Sequence, residues 1–237
     1  MRLALFGATG RAGGAILSES CAAGHDVQAL VRSPGQAGRY GPRVAVIAGD
    51  ARDRAATGRV VDGADAVVSA IGGTRPGNLA VLQEGTAAIL RGMQAAGVRR
   101  LIVIQGFHLP FPGDPSNVGA ASMRVMLRLW NRRLSADTYQ MAEVLRESDL
   151  DWTLIRMPRL TAGLPGADYR TGQLALGPWS TVTTGQVAHF TLTCLDTGDF
   201  VRQAPMIASA VRRPRRAART PDGRHERSSA IPNRPHS

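Results

Sequence analysis

Short apolar runs alternate with longer stretches of helical period from the first residue to about residue 208. The runs predict strands at Arg2–Phe6, Val27–Val31, Val44–Ile47, Ala66–Ala70, Leu101–Ile104 and Thr153–Arg156, with a last, weaker run at Pro205–Ala208. Most are apolar at consecutive positions rather than alternate ones, as strands covered on both faces should be. Helical patterns fall between them. Arg11–Ala23 ends at Gly24, and Asn78–Ala96 opens on an asparagine cap, places Leu79, Leu82, Thr86, Ile89, Leu90 and Met93 on one face, and stops at Gly97. Two more helical regions span Ser122–Glu147 and Gln186–Leu195. This alternation predicts an α/β fold, a doubly wound parallel sheet in one domain over residues 1–210, without internal repeats.

The composition, 43% hydrophobic and 20% charged over 237 residues, is that of a globular chain. No apolar run approaches the roughly 18 residues of a membrane span, and Met1–Phe6 leads straight into a glycine turn without an apolar leader, so a cytoplasmic protein is expected. Cys21 and Cys194 stand far apart, with neither disulfide nor metal-ligand spacing, which predicts two buried apolar thiols and no metal. The 29 basic residues are all arginines. A chain without lysine has no Schiff-base lysine, no phosphate-loop lysine and no tyrosine–lysine catalytic pair.

Charge is unevenly spread. Residues 211–237 hold eight arginines against Asp222 and Glu226, or +6 of the net +11. This Arg- and Pro-rich tail has too few large apolar residues to offset ordering entropy, so it is expected to be disordered. Its main reading is a passive solvated extension; the other is contact with an acidic partner or RNA. A basic, amphipathic stretch such as Met123–Leu134 can suit a membrane or nucleic acid, but its main reading is an ordinary helix packed on the domain.

Candidate chemistry begins where the first predicted strand meets the first helix, at Gly7-Ala8-Thr9-Gly10-Arg11-Ala12-Gly13. Glycines in a strand–turn–helix let the backbone turn tightly and approach a pyrophosphate, which the helix amides and dipole attract. Gly7, Thr9, Gly10, Arg11, Ala12 and Gly13 are therefore candidate dinucleotide ligands. Arg32 follows the second strand, nineteen positions past Gly13, where an acidic residue would read an unphosphorylated ribose. Arginine there offers a donor fork to the 2′-phosphate of NADP, and Ser33 adds a hydroxyl. The bland alternative is a solvated surface arginine. Asp50 and Ala51 after the third strand, and Ile71, Gly72 and Gly73 after the fourth, lie at the same carboxyl edge and extend the candidate site toward adenosine.

With those residues in place, the chain resembles the NAD(P)H-binding atypical short-chain dehydrogenases of the NmrA-like type, within them the biliverdin-IXβ reductase and flavin reductase group. The likeness rests on LALFGATGRAG at 3–13, VQALVR at 27–32, GD at 49–50, GVRRLIVI at 97–104, EVLRESDLDWTLIRMP at 143–158 and VAHFTLTCL at 187–195. It implies a Rossmann-like domain, NADPH as cofactor, hydride transfer to a small-molecule acceptor at the carboxyl edge, and Gln105, Gly106, Met157 and Pro158 beside the nicotinamide. The chain departs from these relatives in carrying Gln105-Gly106 where they place a serine, and Arg159-Leu160 where they place a histidine. Tyr139 is followed four residues later by Glu143, so the catalytic pair of better-known relatives is missing.

Reducing a ketone needs a proton donor at the developing alkoxide. Flavins, quinones and linear tetrapyrroles delocalise the charge instead, which leaves the protein mainly the task of alignment. Gln105 and His108 are the catalytic candidates, set against a structural backbone hydrogen bond for Gln105 and a solvent-facing loop histidine for His108; Phe107, His108 and Arg159 are the acceptor-binding ones, with Leu109 and Phe111 extending an aromatic wall. His189 reads as a hydrogen-bonded core residue. The expected function is an NADPH-dependent reductase of conjugated acceptors, monomeric or weakly homo-oligomeric. The alternative is a non-catalytic, NmrA-like sensor of NADP(H).

Overall fold

The computed structural model describes residues 1–33, 40–72, 80–115, 122 and 132–210. Gly73, Asn78, Leu79, residues 123–131 and the tail 211–237, all singled out above, lie outside the described residues.

The described strands are β1 (Arg2–Phe6), β2 (Asp26–Val31), β3 (Val44–Ala48), β4 (Ala66–Ser69), β5 (Arg100–Gly106), β6 (Asp151–Met157), β7 (Arg159–Thr161), β8 (Tyr169–Gly172), β9 (Thr181–Thr183) and β10 (Met206–Ser209). The helices are α1 (Arg11–Ala22), α2 (Arg54–Val61), α3 (Val81–Ala96), α4 (Arg132–Arg146) and α5 (Thr184–Thr197). The main sheet runs β3-β2-β1-β4-β5-β6-β10-β8, parallel except for β8, which pairs antiparallel with β10. β7 and β9 form a separate parallel pair. The doubly wound, Rossmann-like sheet is thus present. Its order reverses between β1 and β4, which opens a crevice beyond their carboxyl ends.

Side chains alternate across the sheet into two cores. Phe6, Val67, Leu101 and Leu154 meet Val60, Ile89 and Leu145 from α2, α3 and α4 on one face. Leu5, Val68, Ile102 and Ile155 meet Ile16 and Val187 from α1 and α5 on the other. β1 from Leu3 onward and β4 up to Val68 are apolar and buried because both faces are covered, whereas β3, at the sheet edge, is partly exposed along its length.

Some elements differ from the expected ones. α2 was not expected: its sequence RAATGRVV combines glycine, threonine and two valines, all weak helix formers. Its start is fixed instead by Asp53, whose Oδ1 accepts from the amides of Ala55 (2.9 Å) and Ala56 (3.3 Å). Arg156, counted with an apolar run, is fully buried and ionic. Cys194 is buried, and burial pushes its thiol up to about 12, but Cys21 is only half-buried. His189 hydrogen-bonds the Tyr169 hydroxyl through Nδ1 at 3.0 Å. Among the described residues no helix is long and apolar enough to cross a membrane, and no acidic, histidine or cysteine cluster could hold a metal ion.

The start of α3 depends on a residue far away in sequence. Ala80 provides no side-chain cap, and the buried Asp137 of α4 accepts from the amides of Leu82 (3.0 Å) and Gln83 (2.8 Å). Asp137→Ala is expected to lower the unfolding free energy by about 1–2 kcal/mol, as losing a strong cap does. Urea denaturation checks this; a loss below about 0.5 kcal/mol would mean that another group satisfies those amides.

Candidate functional site

The crevice at the reversal point holds a cleft of about 380 Å³. Its floor is the glycine turn. Gly7 has φ +83°, and a Cβ there would lie 2.5 Å from the Ala70 carbonyl oxygen, so only glycine lets the end of β1 touch the end of β4. A Cβ on Gly13 would lie 2.1 Å from the Gly7 carbonyl oxygen, so the same rule seats α1 directly on the turn. The Gly10 amide donates to the Gly7 carbonyl at 2.9 Å and closes the loop.

Helix α1 then begins at Gly10, a cap residue with no side chain, and no acidic residue stands in its first turn. The starts of α2, α3 and α5 contrast with it: Asp53, Asp137 and a Thr183–Gln186 capping box satisfy their amides. Thr9, Gly10, Arg11 and Ala12 line the cleft, and the partial positive charge of the α1 N-terminus favours an anion there. Arg11 also reaches across the mouth, its Nη2 donating to the Leu160 carbonyl of β7.

At the far end stand Arg32, Asp50 and Ala51, delivered by the carboxyl ends of β2 and β3. Hydrogen bonds from Arg52 hold the Asp50 carboxyl below its ordinary range, with the Arg32 charge adding to the effect. Among the described residues Arg32 itself has no ion-pair or hydrogen-bond partner. Ile71, Gly72 and Met157 complete the cleft from the ends of β4 and β6. Phe6, Leu30, Ala70, Val81 and Leu160 also line it. Sequence reasoning passed over these because apolar residues look the same in sequence whether they face core or cleft.

Other candidates stand elsewhere. Gly13 supports the turn from behind, Ser33 is exposed outside the cleft lining, and Pro158 is buried. Gln105 is 9% exposed near the end of β5, where its Oε1 takes a long 3.4 Å contact from the Gly106 amide; neither residue lines the cleft. His108 is half-buried against Gly106, whose added Cβ would meet its Nδ1 at 2.5 Å. Burial lowers the His108 pKa, so the ring is neutral at neutral pH and poorly suited to acid catalysis.

No aromatic wall forms after β5. Phe107 packs toward Leu174 and Leu176, Leu109 is core, and Phe111 lies edge-on to Trp152. The reason is a backbone anchor, since the Phe107 amide donates to the Met157 carbonyl and the loop then folds down over β6. Arg159 is exposed at the start of β7 and also outside the cleft lining. A second cavity, of about 400 Å³, lies between Phe111, Trp152 and Phe200 near the start of β6 and shares no residue with the glycine-turn cleft.

A protein-family model described as NAD(P)H-binding matches residues 7–198. The fold is shared with solved structures of low sequence identity. The Lactococcus lactis oxidoreductase YlbE has a TM-score of 0.73 at 17% identity, covering 89% of this chain and 91% of its own. The anaerobilin reductase ChuY of Escherichia coli O157:H7 has a TM-score of 0.73 at 18% identity, covering 90% and 100%. A Burkholderia pseudomallei protein described as exported has a TM-score of 0.66 at 27% identity, covering 88% and 99%.

Proposed function

The chain belongs to the NAD(P)H-binding family, and from that premise we propose that it is an NADPH-dependent reductase passing hydride to a conjugated acceptor of flavin, quinone or linear tetrapyrrole type. One observation carries the proposal: the uncapped start of α1 and Arg32, without a partner among the described residues, share one cleft. In this reading the diphosphate rests on the α1 amides and the 2′-phosphate on Arg32 and Ser33. Gly72, Asp50 and Ala51 then flank the adenosine and Met157 the nicotinamide, with Gln105, Gly106 and Pro158 behind the cleft lining. When bound, the reduced nicotinamide supplies hydride.

The acceptor class follows from the missing acid. The chain has no tyrosine–lysine pair, and His108 is held neutral by burial. An acceptor that delocalises charge can take its proton from water, so the protein need only align the two rings. The anaerobilin reductase among the structural neighbours agrees with this choice. We place the activity in the cytoplasm, in a monomer or weak homo-oligomer; both cysteines are free.

NADPH oxidation measured with FMN, riboflavin, short-chain quinones and biliverdin tests the reading, with turnover expected for at least one. Tight NADPH binding without turnover of any would overturn it in favour of a sensor that reports the nicotinamide pool to a partner. That second reading draws on the absence of Gln105, His108 and Arg159 from the cleft lining. Its own test is a pull-down in which NADPH or NADP⁺ releases the partner.

Replacing Arg32 by glutamate removes charge-assisted bonds worth about 1.5–3 kcal/mol, so NADPH affinity is expected to fall roughly ten- to a hundredfold. NADH should lose much less. Calorimetric titration of both cofactors checks this, and equal losses would mean that Arg32 does not read the phosphate.

A further inference from the structure

Arg32 and Asp50 leave neighbouring strands, paired through Val31 and Ala48, and line the same end of the cleft. An anion beside a phosphate-reading guanidinium is a liability. It competes for that guanidinium, and it repels the incoming phosphate. Here both effects are suppressed by a third residue. The Asp50 Oδ1 accepts from the Arg52 amide (2.9 Å) and Nε (2.8 Å), while its Oδ2 accepts from Arg52 Nη2 (3.2 Å). Arg32 is left without a partner among the described residues.

Taking the dinucleotide reading of the cleft as given, we propose that Arg52 determines cofactor preference indirectly. By occupying both oxygens of Asp50, it keeps Arg32 free for a 2′-phosphate. The three side chains carry a net charge of +1, and the unpaired cation is the one on the cleft wall. Glu84, in the first turn of α3, adds its negative charge on the Arg52 side. Removing Arg52 brings the remaining pair to zero net charge and releases Asp50 toward Arg32. The same freed carboxylate can accept from an unphosphorylated ribose, so NADH keeps its affinity or gains. Arg52 is therefore a positioning residue that never touches the cofactor. The Asp50 and Arg52 side chains are 32% and 39% exposed, so the expected effect is moderate and salt-sensitive.

Calorimetric titration of NADPH and NADH into the wild type, Arg52→Gln, Asp50→Asn and the double variant decides the matter. Arg52→Gln should weaken NADPH about tenfold at low ionic strength and leave NADH within about twofold or tighter. In the Asp50→Asn background the same Arg52→Gln change should alter NADPH affinity by less than about threefold, because the competing anion is gone. If Arg52→Gln costs as much in that background as in the wild type, Arg52 contacts the phosphate itself and the proposal is wrong. Equal loss of both cofactors, or no change with Arg52→Gln, also overturns it. A wild type that binds neither cofactor removes the dinucleotide reading itself, an outcome separate from these.

Discussion

Gly13→Ala is expected to weaken binding of both nicotinamide cofactors about a hundredfold, while the neighbouring Gly14→Ala leaves binding unchanged. Helix propensity alone makes the opposite forecast, because alanine inside a helix is favoured over glycine by up to about 1 kcal/mol. Local geometry reverses that preference at one position only. A Cβ on Gly13 would lie 2.1 Å from the Gly7 carbonyl oxygen and 2.7 Å from the Gly7 carbonyl carbon, both backbone atoms that cannot rotate aside. A Cβ on Gly14 would find its nearest neighbour at 3.4 Å, an ordinary contact. To accept the methyl group at 13, α1 must lift from the turn, and its first amides then point away from the diphosphate. Losing two charge-assisted hydrogen bonds of about 1.5 kcal/mol each gives the hundredfold. The same shift should cost about 1–3 kcal/mol of stability through overpacking, against a slight gain for Gly14→Ala. Calorimetry and thermal unfolding of the two variants side by side check both quantities. Equal behaviour at 13 and 14 would mean that the turn is not what seats the helix against the ligand.

That contrast marks how far the sequence could be read. The glycine spacing, the alternation of apolar runs and the position of Arg32 at a strand end are local patterns, and each found its counterpart in the sheet order and the cleft. What could not be read depends on contacts distant in sequence. Nothing near Ala80 announces that Asp137 caps α3, and nothing in WTLIRM tells a buried Arg156 from the exposed end of a strand. The loop after β5 misled for a related reason. Its Phe107, His108, Leu109 and Phe111 carry the composition of a binding wall, but the direction of the loop is set by Asp114 and Met157, which fold it over β6. Asp50 lies between these cases. Its place at the cleft was legible, whereas its engagement by Arg52 was overlooked although the partner is two residues away.

The ion pair that directs the loop supplies the largest expected stability effect. Arg156 is 0% exposed, and its Nη1 and Nη2 donate to Asp114 Oδ2 and Oδ1 at 2.6 Å each. The Leu109 and Ala204 carbonyls and the Gln173 amide oxygen take the remaining guanidinium hydrogens, and the Phe111 ring lies over the group. Removing the carboxylate leaves a buried cation with only dipoles around it, so Asp114→Ala is expected to cost about 3–5 kcal/mol. The Asp114 side chain keeps 13% exposure, and water entering there places the loss toward the lower end. This is a large share of the 5–15 kcal/mol or so that holds a domain together. Adding Arg156→Met should recover most of it, because an apolar side chain of similar length needs no counterion. Urea denaturation of the two variants tests the pair as a unit. A double variant less stable than Asp114→Ala would show that Arg156 acts through its carbonyl bonds rather than its charge, and a loss below about 1 kcal/mol for Asp114→Ala would show that the pair is not buried in solution.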